Sequence, residues 1–232
     1  MPSAGQLITN LAHDEATTGQ ELPLSDPPHG TTDGNTDTGR GGEQPPLTGP
    51  NALLDIIRRE RWDNFGFVLF RTFYRDESLW LRFVKEYEPL LRSEITFARS
   101  GDDAQAILDK LKMDIVSDDC MDDKIPEHIS MAYRMFSDVE PGLQTKMCLV
   151  VDQECMESVA AKSSSTVPFV KAVDVVLGAD AESAFPRVIK VAVSSLLARF
   201  YPALANCDTV WEIASDGDDV WIDWPGLEDG AE

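Results

Sequence analysis

Short apolar runs divide the chain between residues 51 and 224 into segments typical of β-strands. They lie at residues 66–72, 146–151 and 169–176. Their length and their content of β-branched and aromatic residues predict buried strands. A weaker apolar run predicts a fourth strand at residues 113–116.

Between these runs, apolar residues recur at every third or fourth position, which predicts amphipathic helices. The predicted helices cover residues 51–62, 77–92, 126–136, 153–161 and 186–201, with a weaker helical turn at 105–112. Residues suited to helix starts stand where they are needed: Asn51, Asp76 and Asp152 as N-caps, and Pro126 and Pro186 as first helical residues. The helix at 186–201 is expected to be the longest and to end at Pro202.

The C-terminal end of the chain predicts a β-hairpin. Residues 209–214 and 220–224 flank an Asp-Gly pair, which favours the positive φ of a tight turn. Together the elements predict an α+β or mixed α/β fold. We expect one sheet of five or six strands with helices packed on one face.

Negative charge is concentrated at the two ends of the chain. The net charge is −21, of which residues 1–50 contribute −6 and residues 208–232 contribute −9. The first segment holds 8 of the 15 glycines, 7 of the 14 prolines and no aromatic residue, which predicts a disordered acidic tail. We assign residues 51–224 to one domain and residues 225–232 to an acidic C-terminal tail.

Charge and hydropathy exclude several classes of protein. The excess of acidic residues disfavours non-specific binding to nucleic acid or to an anionic membrane. No apolar run approaches the roughly 20 residues that span a bilayer, and the first residues lack the basic and apolar segments of a secretory signal. The four cysteines show no zinc-ligand spacing. We therefore expect a cytoplasmic protein with reduced cysteines, no metal and no cofactor.

Three stretches of the sequence, RWDNFGFVLFRTFY, KMCLVVDQECMESV and FVKAVDV, carry a resemblance. They resemble a large group of filamentous-fungal (ascomycete) proteins with a W-x-x-x-G-F-V-x-x-R-T-x-Y strand and helix, a V-D-E-E-x-L-x-S-V-like segment and a V-K-x-V-D strand. The matching positions are Trp62, Gly66, Phe67, Val68, Arg71, Thr72, Tyr74, Val151, Asp152, Glu154, Met156, Ser158, Val159, Val170, Lys171, Val173 and Asp174. Gln153 departs from the pattern, since an acid is usual there. The group has no assigned activity, so the resemblance implies an intracellular fungal protein and no particular chemistry.

Three of the predicted strands end in a charged residue, namely Arg71, Asp152 and Asp174. If these strands are parallel neighbours, the three side chains gather at the sheet edge where open α/β sheets bind ligands. An arginine with two carboxylates would bind a small polar ligand there, or tune the pKa of a base. The alternative interpretation is structural, with Asp152 capping a helix and Arg71 paired with Asp174.

Acidic clusters offer a second candidate site. Five aspartates lie between residues 114 and 123, and oxygen-rich clusters of this kind can hold Ca²⁺ or Mg²⁺. Their spacing does not match a calcium-binding loop, so we favour a solvated acidic loop. Residues 216–219 have the same two interpretations, and turn chemistry is the favoured one.

Three tryptophans, Trp211, Trp221 and Trp224, lie near the predicted hairpin. Trp211 and Trp221 would be neighbours across the two strands. Exposed tryptophans beside acidic residues would form a partner-binding surface. The alternative is that they pack against the predicted helix at 186–201.

No arrangement of residues typical of an enzyme is present. The chain has no G-x-S-x-G segment and no glycine-rich loop after a strand, and Cys148 lies in the middle of a predicted strand. We therefore assign no catalytic residue. The favoured function is a non-enzymatic protein-interaction module with acidic flexible ends and a protein partner of unknown identity. The alternative is a small-molecule-binding protein or enzyme that uses Arg71, Asp152 and Asp174.

Overall fold

Five strands and six helices account for most of the residues that the computed structural model describes, which are 48–98, 102–136, 138–161, 166–176, 188–213 and 219–223. The helices are α1 (Pro50–Glu60), α2 (Glu77–Ala98), α3 (Asp102–Leu108), α4 (Pro126–Met135), α5 (Gln153–Ala160) and α6 (Tyr201–Asn206). The strands are β1 (Phe65–Arg71), β2 (Leu111–Val116), β3 (Met147–Val151), β4 (Phe169–Asp174) and β5 (Val188–Ala192). The predicted α+β class is confirmed. Within these residues, no helix has the length and hydropathy needed to cross a membrane.

The strands form one mixed sheet with the order β2-β1-β3-β4-β5. β1 is parallel to both β2 and β3, whereas β4 is antiparallel to β3 and to β5. The chain leaves β1 for β2 on one side and returns to β3 on the other side. The strand order therefore reverses between β1 and β3, and clefts in open α/β sheets form at the carboxyl ends of strands at such a position.

Helices cover both faces of the sheet, rather than the single face that the sequence predicts. All seven residues of β1 are buried. Phe67 and Leu69 face a large core that includes side chains of α1, α2, α3, α5 and α6. Val68 and Phe70 face a smaller core on the opposite side, which α4 covers with Ile129 and other side chains.

The two outer strands of the sheet, β5 and β2, differ in whether other backbone groups pair with their outer sides. At β5, the Ala192 N–H donates to the Trp221 carbonyl at 2.9 Å, and the Trp221 N–H donates to the Lys190 carbonyl at 2.8 Å. At the other end of the sheet, the strand pairings of the described residues give β2 a single neighbour, β1. The chain therefore closes part of one sheet edge with Trp221.

The predicted helix at residues 186–201 is wrong over residues 188–192, and its predicted first residue, Pro186, lies outside the described residues. Val188–Ala192 forms β5, and a 3₁₀ turn, a π-helical segment at Leu196–Phe200 and then α6 follow. Pro202 lies in the first turn of α6 instead of ending a helix. The segment VIKVAV satisfies helical spacing and strand composition equally, and pairing with β4 decides in favour of a strand.

Two of the three predicted N-caps are confirmed. The side chains of Asp76 and Asp152 each accept a hydrogen bond from a backbone N–H in the first turn, at 3.0 Å in both cases. The prediction for Asn51 is wrong, because α1 begins at Pro50 and its cap position is Gly49. α2 also extends beyond its predicted end to Ala98.

The predicted C-terminal hairpin is not evident in the described residues. Val210–Glu212 is a 3₁₀ turn, and Trp221 pairs in parallel with Val191. The predicted tails at residues 1–50 and 225–232 lie outside the described part of the chain except for residues 48–50, and of the predicted turn at residues 215–219 only Asp219 is described.

A close backbone contact at Gly66 joins β1 to β2. Gly66 has a φ of +146°, and a Cβ atom built on it would lie 1.9 Å from the backbone oxygen of Lys112. No rotamer relieves this contact, because both atoms belong to the backbone or are fixed to it. Glycine is therefore required here by its backbone conformation and by the lack of space.

We expect Gly66→Ala to lower the free energy of unfolding by more than about 3 kcal/mol, which is the upper end of the cost of a strained φ alone. Gly49→Ala is the matched control, because its φ is +96° but no atom lies within 4 Å of the added Cβ. The control should cost ~1–3 kcal/mol. Urea denaturation measures both variants, and equal losses would contradict a steric role for the Lys112 oxygen.

Candidate functional site

The structure does not bring the three predicted strand-end residues together. β1 and β3 are parallel, so Arg71 and Asp152 lie at the same end of the sheet. Asp174 is the register partner of Met147 at the start of β3, because β4 runs antiparallel. Asp174 therefore lies at the opposite end, where its carboxylate accepts a hydrogen bond from the Val176 N–H at 2.9 Å.

Arg71 is buried, with an exposed fraction of 3%, and its guanidinium is held by contacts within the chain. Nε donates to the Phe73 carbonyl at 2.9 Å, and Nη2 contacts the Glu77 carboxylate at 2.6 Å. The guanidinium lies 4.4 Å from the ring centre of Tyr74 and 4.7 Å from that of Trp80. These contacts tie the end of β1 to the start of α2, which favours the structural interpretation of Arg71.

We expect Arg71→Ala to lower the free energy of unfolding by roughly 2–4 kcal/mol, because it removes two cation–π contacts and leaves a buried carbonyl without its donor. The matched control is Glu77→Gln, which removes the charge of an exposed partner and should cost less than about 1 kcal/mol. Urea denaturation distinguishes the two variants. A loss for Arg71→Ala no larger than that of the control would contradict the structural role.

A cleft of about 390 Å³ lies at the carboxyl ends of β1 and β3, where the strand order reverses. Asp152 is the predicted site residue that lines it. The side chains and backbone that form its walls come from the segments after β1, β2 and β3, from α5 and from β4. They are Thr72, Phe73, Arg75, Asp123, Asp152, Gln153, Glu154, Glu157 and Lys171.

Ion pairs within the chain hold the charged groups of this cleft. Lys171 Nζ lies 2.5 Å from the Asp152 carboxylate and 2.8 Å from that of Glu154. Lys190 is the cross-strand partner of Lys171, and like charges in that position destabilise a sheet. The Glu154 carboxylate also contacts Lys190 Nζ at 2.9 Å, so it bridges the two ammonium groups.

These contacts favour the ionised forms of Asp152, Glu154 and Lys171. Burial disfavours the charged form of Asp152, but hydrogen bonds from the Lys171 ammonium and the Cys155 amide outweigh it, so the pKa of Asp152 is lowered. Hydrogen bonds from Lys171 and Lys190 lower the pKa of Glu154. Burial acts against the charge of Lys171 as well, yet the two carboxylates raise its pKa. The arrangement is a neutralised network that joins α5 to β4 and β5.

Stability should fall in acid because of this network. A carboxylate with a lowered folded-state pKa contributes stability that is present above its unfolded pKa, about 4.3 for Glu, and lost as the pH falls through the folded value. We expect Glu154→Gln to make stability less dependent on pH below about 4.3. Glu157→Gln is the matched control, because the Glu157 carboxylate accepts a hydrogen bond from Gln153 instead. Urea denaturation across this pH range measures both; identical pH profiles for the two variants would contradict the bridge.

The acidic loop at residues 118–123 uses its carboxylates within the fold. Asp118 accepts a backbone N–H inside the loop at 3.0 Å. Asp122 accepts the Tyr74 N–H at 3.3 Å, and Asp123 forms an ion pair with Arg75. The loop is thereby joined to the segment after β1. Over the described residues, no three or more His, Cys, Asp or Glu side chains are placed to share a metal ion.

The structure describes one of the three tryptophan side chains proposed as a partner surface. Trp221 is buried, and its ring lies 5.1 Å from that of Phe200 in an edge-to-face arrangement. It therefore packs against the segment that the sequence assigned to a helix, as the alternative interpretation expected. The side chain of Trp211 and the whole of Trp224 lie outside the described residues.

The cysteines offer no activated thiol among the described residues. All four are free. Burial raises the pKa of Cys148 to about 12 and also raises that of Cys155. Cys120 is exposed, and its pKa is raised by a hydrogen bond with Asp118. A thiol with a raised pKa is a poor nucleophile near neutral pH.

A surface that the sequence analysis missed lies on α4 and at its two ends. Four large apolar side chains there are 44–77% exposed. They are Ile125, Met131, Met135 and Phe136, which we call the α4 surface. Met131 and Met135 lie one helical turn apart, on the side of α4 opposite the buried Ile129 and Tyr133. The signal was present in the sequence, because α4 carries more apolar positions than one buried face requires.

Comparisons with protein families, with curated proteins and with solved structures find no match to this chain.

Proposed function

We propose that the chain is a non-enzymatic protein-interaction module and that the α4 surface binds its partner. The observation that carries this proposal is the exposure of four large apolar side chains around one helix. Large apolar side chains left exposed on one helix are candidate interaction sites, and methionine side chains adapt readily to a partner. We further propose that the protein is cytoplasmic, a compartment in which its four free cysteines would stay reduced.

The charges around the α4 surface indicate the chemistry of the partner. Exposed carboxylates lie on α4 and on the segments directly before and after it. They are Asp118, Asp119, Glu127 and Asp138, and they outnumber the exposed basic residues of the same segments, Lys124 and Arg134. Met121 packs against the smaller core, which holds the acidic loop close to α4. An amphipathic helix with an apolar face and basic flanks would complement exposed apolar side chains with these carboxylates nearby.

The strand-end cleft is a weaker basis for function. Lys171 is already paired with Asp152 and Glu154, and Arg75 is paired with Asp123. A polar ligand would have to replace contacts that the chain makes with itself. The α4 surface has no such internal competition, because burying apolar side chains is favourable in itself.

We expect a synthetic amphipathic helix with a leucine face and a lysine-rich polar face to bind the full chain, measured by fluorescence anisotropy. A helix with the same leucine face and a glutamate-rich polar face should bind at least about tenfold more weakly, because like charges oppose it. Met131→Ser combined with Met135→Ser should weaken binding of the basic helix by about tenfold or more, the loss expected on removing central apolar contacts.

The matched control is Leu81→Ser, which removes an apolar side chain that is exposed on α2, away from the α4 surface. This variant should bind the basic helix as the unaltered chain does. Equal binding of the two peptides, or equal losses in the α2 and α4 variants, would contradict the proposal. Far-ultraviolet circular dichroism on all variants verifies that each is folded.

A further inference from the structure

The backbone of β2 presents hydrogen-bonding groups on the side away from β1. The Phe65 N–H donates to the Lys110 carbonyl at 3.0 Å, and Phe65 is the register partner of Leu111. Because the N–H and C=O groups of a strand alternate in direction, Lys112 and Asp114 also direct theirs toward β1. The groups of Leu111, Met113 and Ile115 therefore point outward. Within the described residues, no strand pairs with that side.

An edge of this kind is a template for another strand. The chain closes part of its other sheet edge, at β5, with two hydrogen bonds from Trp221. β2 is therefore the edge of the described sheet at which a further strand can be added.

We infer that two copies of this chain associate through their β2 strands, antiparallel and about a two-fold axis at Met113. A two-fold contact uses the same surface on both copies, so the β2 sequence must complement itself. In this register, Lys112 of each copy lies opposite Asp114 of the other, and Leu111 lies opposite Ile115. The outward backbone groups of Leu111, Met113 and Ile115 then form hydrogen-bonded pairs across the axis. This contact uses a surface other than the α4 surface.

Charge selects this register over its neighbours. Outward groups also face each other when the axis lies at Lys112 or at Asp114. The first places two lysines opposite each other and the second places two aspartates opposite each other, and like charges in that position destabilise a sheet. The axis at Met113 makes both facing pairs attractive. The pattern Lys-Met-Asp is thus self-complementary in one antiparallel register.

The charged side chains remain accessible for such pairing. The side chains of Lys112 and Asp114 are 37% and 49% exposed. Lys112 Nζ lies 2.6 Å from the Glu140 carboxylate and 3.6 Å from Asp114 of its own chain. An ammonium group has three N–H donors, so it can also contact an aspartate of a second copy. Ile115 is 45% exposed and would be covered by the second strand.

The opposing interpretation is that Lys112 protects the edge from pairing, as lysines on edge strands often do. Sedimentation velocity on the full chain over a range of concentrations separates the two. We expect a transition to twice the mass of one chain. Absence of that transition at every accessible concentration would overturn the inference.

Charge exchange tests the register. Lys112→Glu and Asp114→Lys each place like charges opposite each other, so each variant alone should dissociate at about tenfold higher concentration than the unaltered chain. In an equimolar mixture, both facing pairs are attractive again, because two acids on one strand meet two lysines on the other. Recovery of the dimer in the mixture is the expected result. Failure of the mixture to recover it would overturn the inference.

A backbone variant keeps the test independent of charge and folding. Ile115→Pro removes an outward N–H that β1 does not use, whereas Ile115→Thr keeps it. The proline variant should lose the dimer, while the threonine variant should keep it. Urea denaturation verifies that both variants fold. A dimer that persists in Ile115→Pro, or one that is lost instead in the Met131→Ser, Met135→Ser variant, would assign the contact to another surface and overturn the inference.

Discussion

Burial of β1 on both of its faces is the constraint on which the rest of the structure depends. Both neighbours of β1 run parallel to it, and parallel pairs require long crossovers that place helices over the sheet. One crossover brings α2 and α3 over the large core, and the other brings α4 over the small one. The reversal of strand order and the cleft at the carboxyl ends follow from the same arrangement. Gly66 permits the close pairing of β1 with β2, because β2 approaches β1 too closely there for any side chain.

Local sequence patterns predict an element correctly where its tertiary contacts favour the same secondary structure as its own residues do. β1 and β3 were predicted because their composition fits a buried strand, and the N-caps Asp76 and Asp152 were predicted because short-range hydrogen bonding decides them. β5 was missed because VIKVAV fits two periodicities, and its pairing with β4 is a long-range contact. Local patterns also do not show whether neighbouring strands run parallel or antiparallel. For that reason the sequence predicts Asp174 beside Arg71 and Asp152.

The same limit applies to the charged residues. Lys171 and Lys190 lie within apolar strands, and nothing in the sequence places them side by side with Glu154 between them. Their contacts depend on the register of β4 with β5 and on the position of α5 over the sheet. The α4 surface was missed for a different reason. Helical periodicity identifies a buried stripe, and it does not show that apolar positions on the opposite side of the helix remain exposed.

The Trp221 bridge has a consequence for how far the sheet can extend. Trp221 takes the place of a sixth strand beside β5, since its N–H and its carbonyl each form a hydrogen bond with a backbone group of that strand. A sheet with two open edges can add copies indefinitely and form fibres. In the described part of this chain, no strand pairs with the outer side of β2, whereas Trp221 covers part of the edge at β5. A strand that joins at β2 therefore extends a sheet whose opposite edge is partly closed. The asymmetry favours assembly that stops after a single addition over open-ended growth.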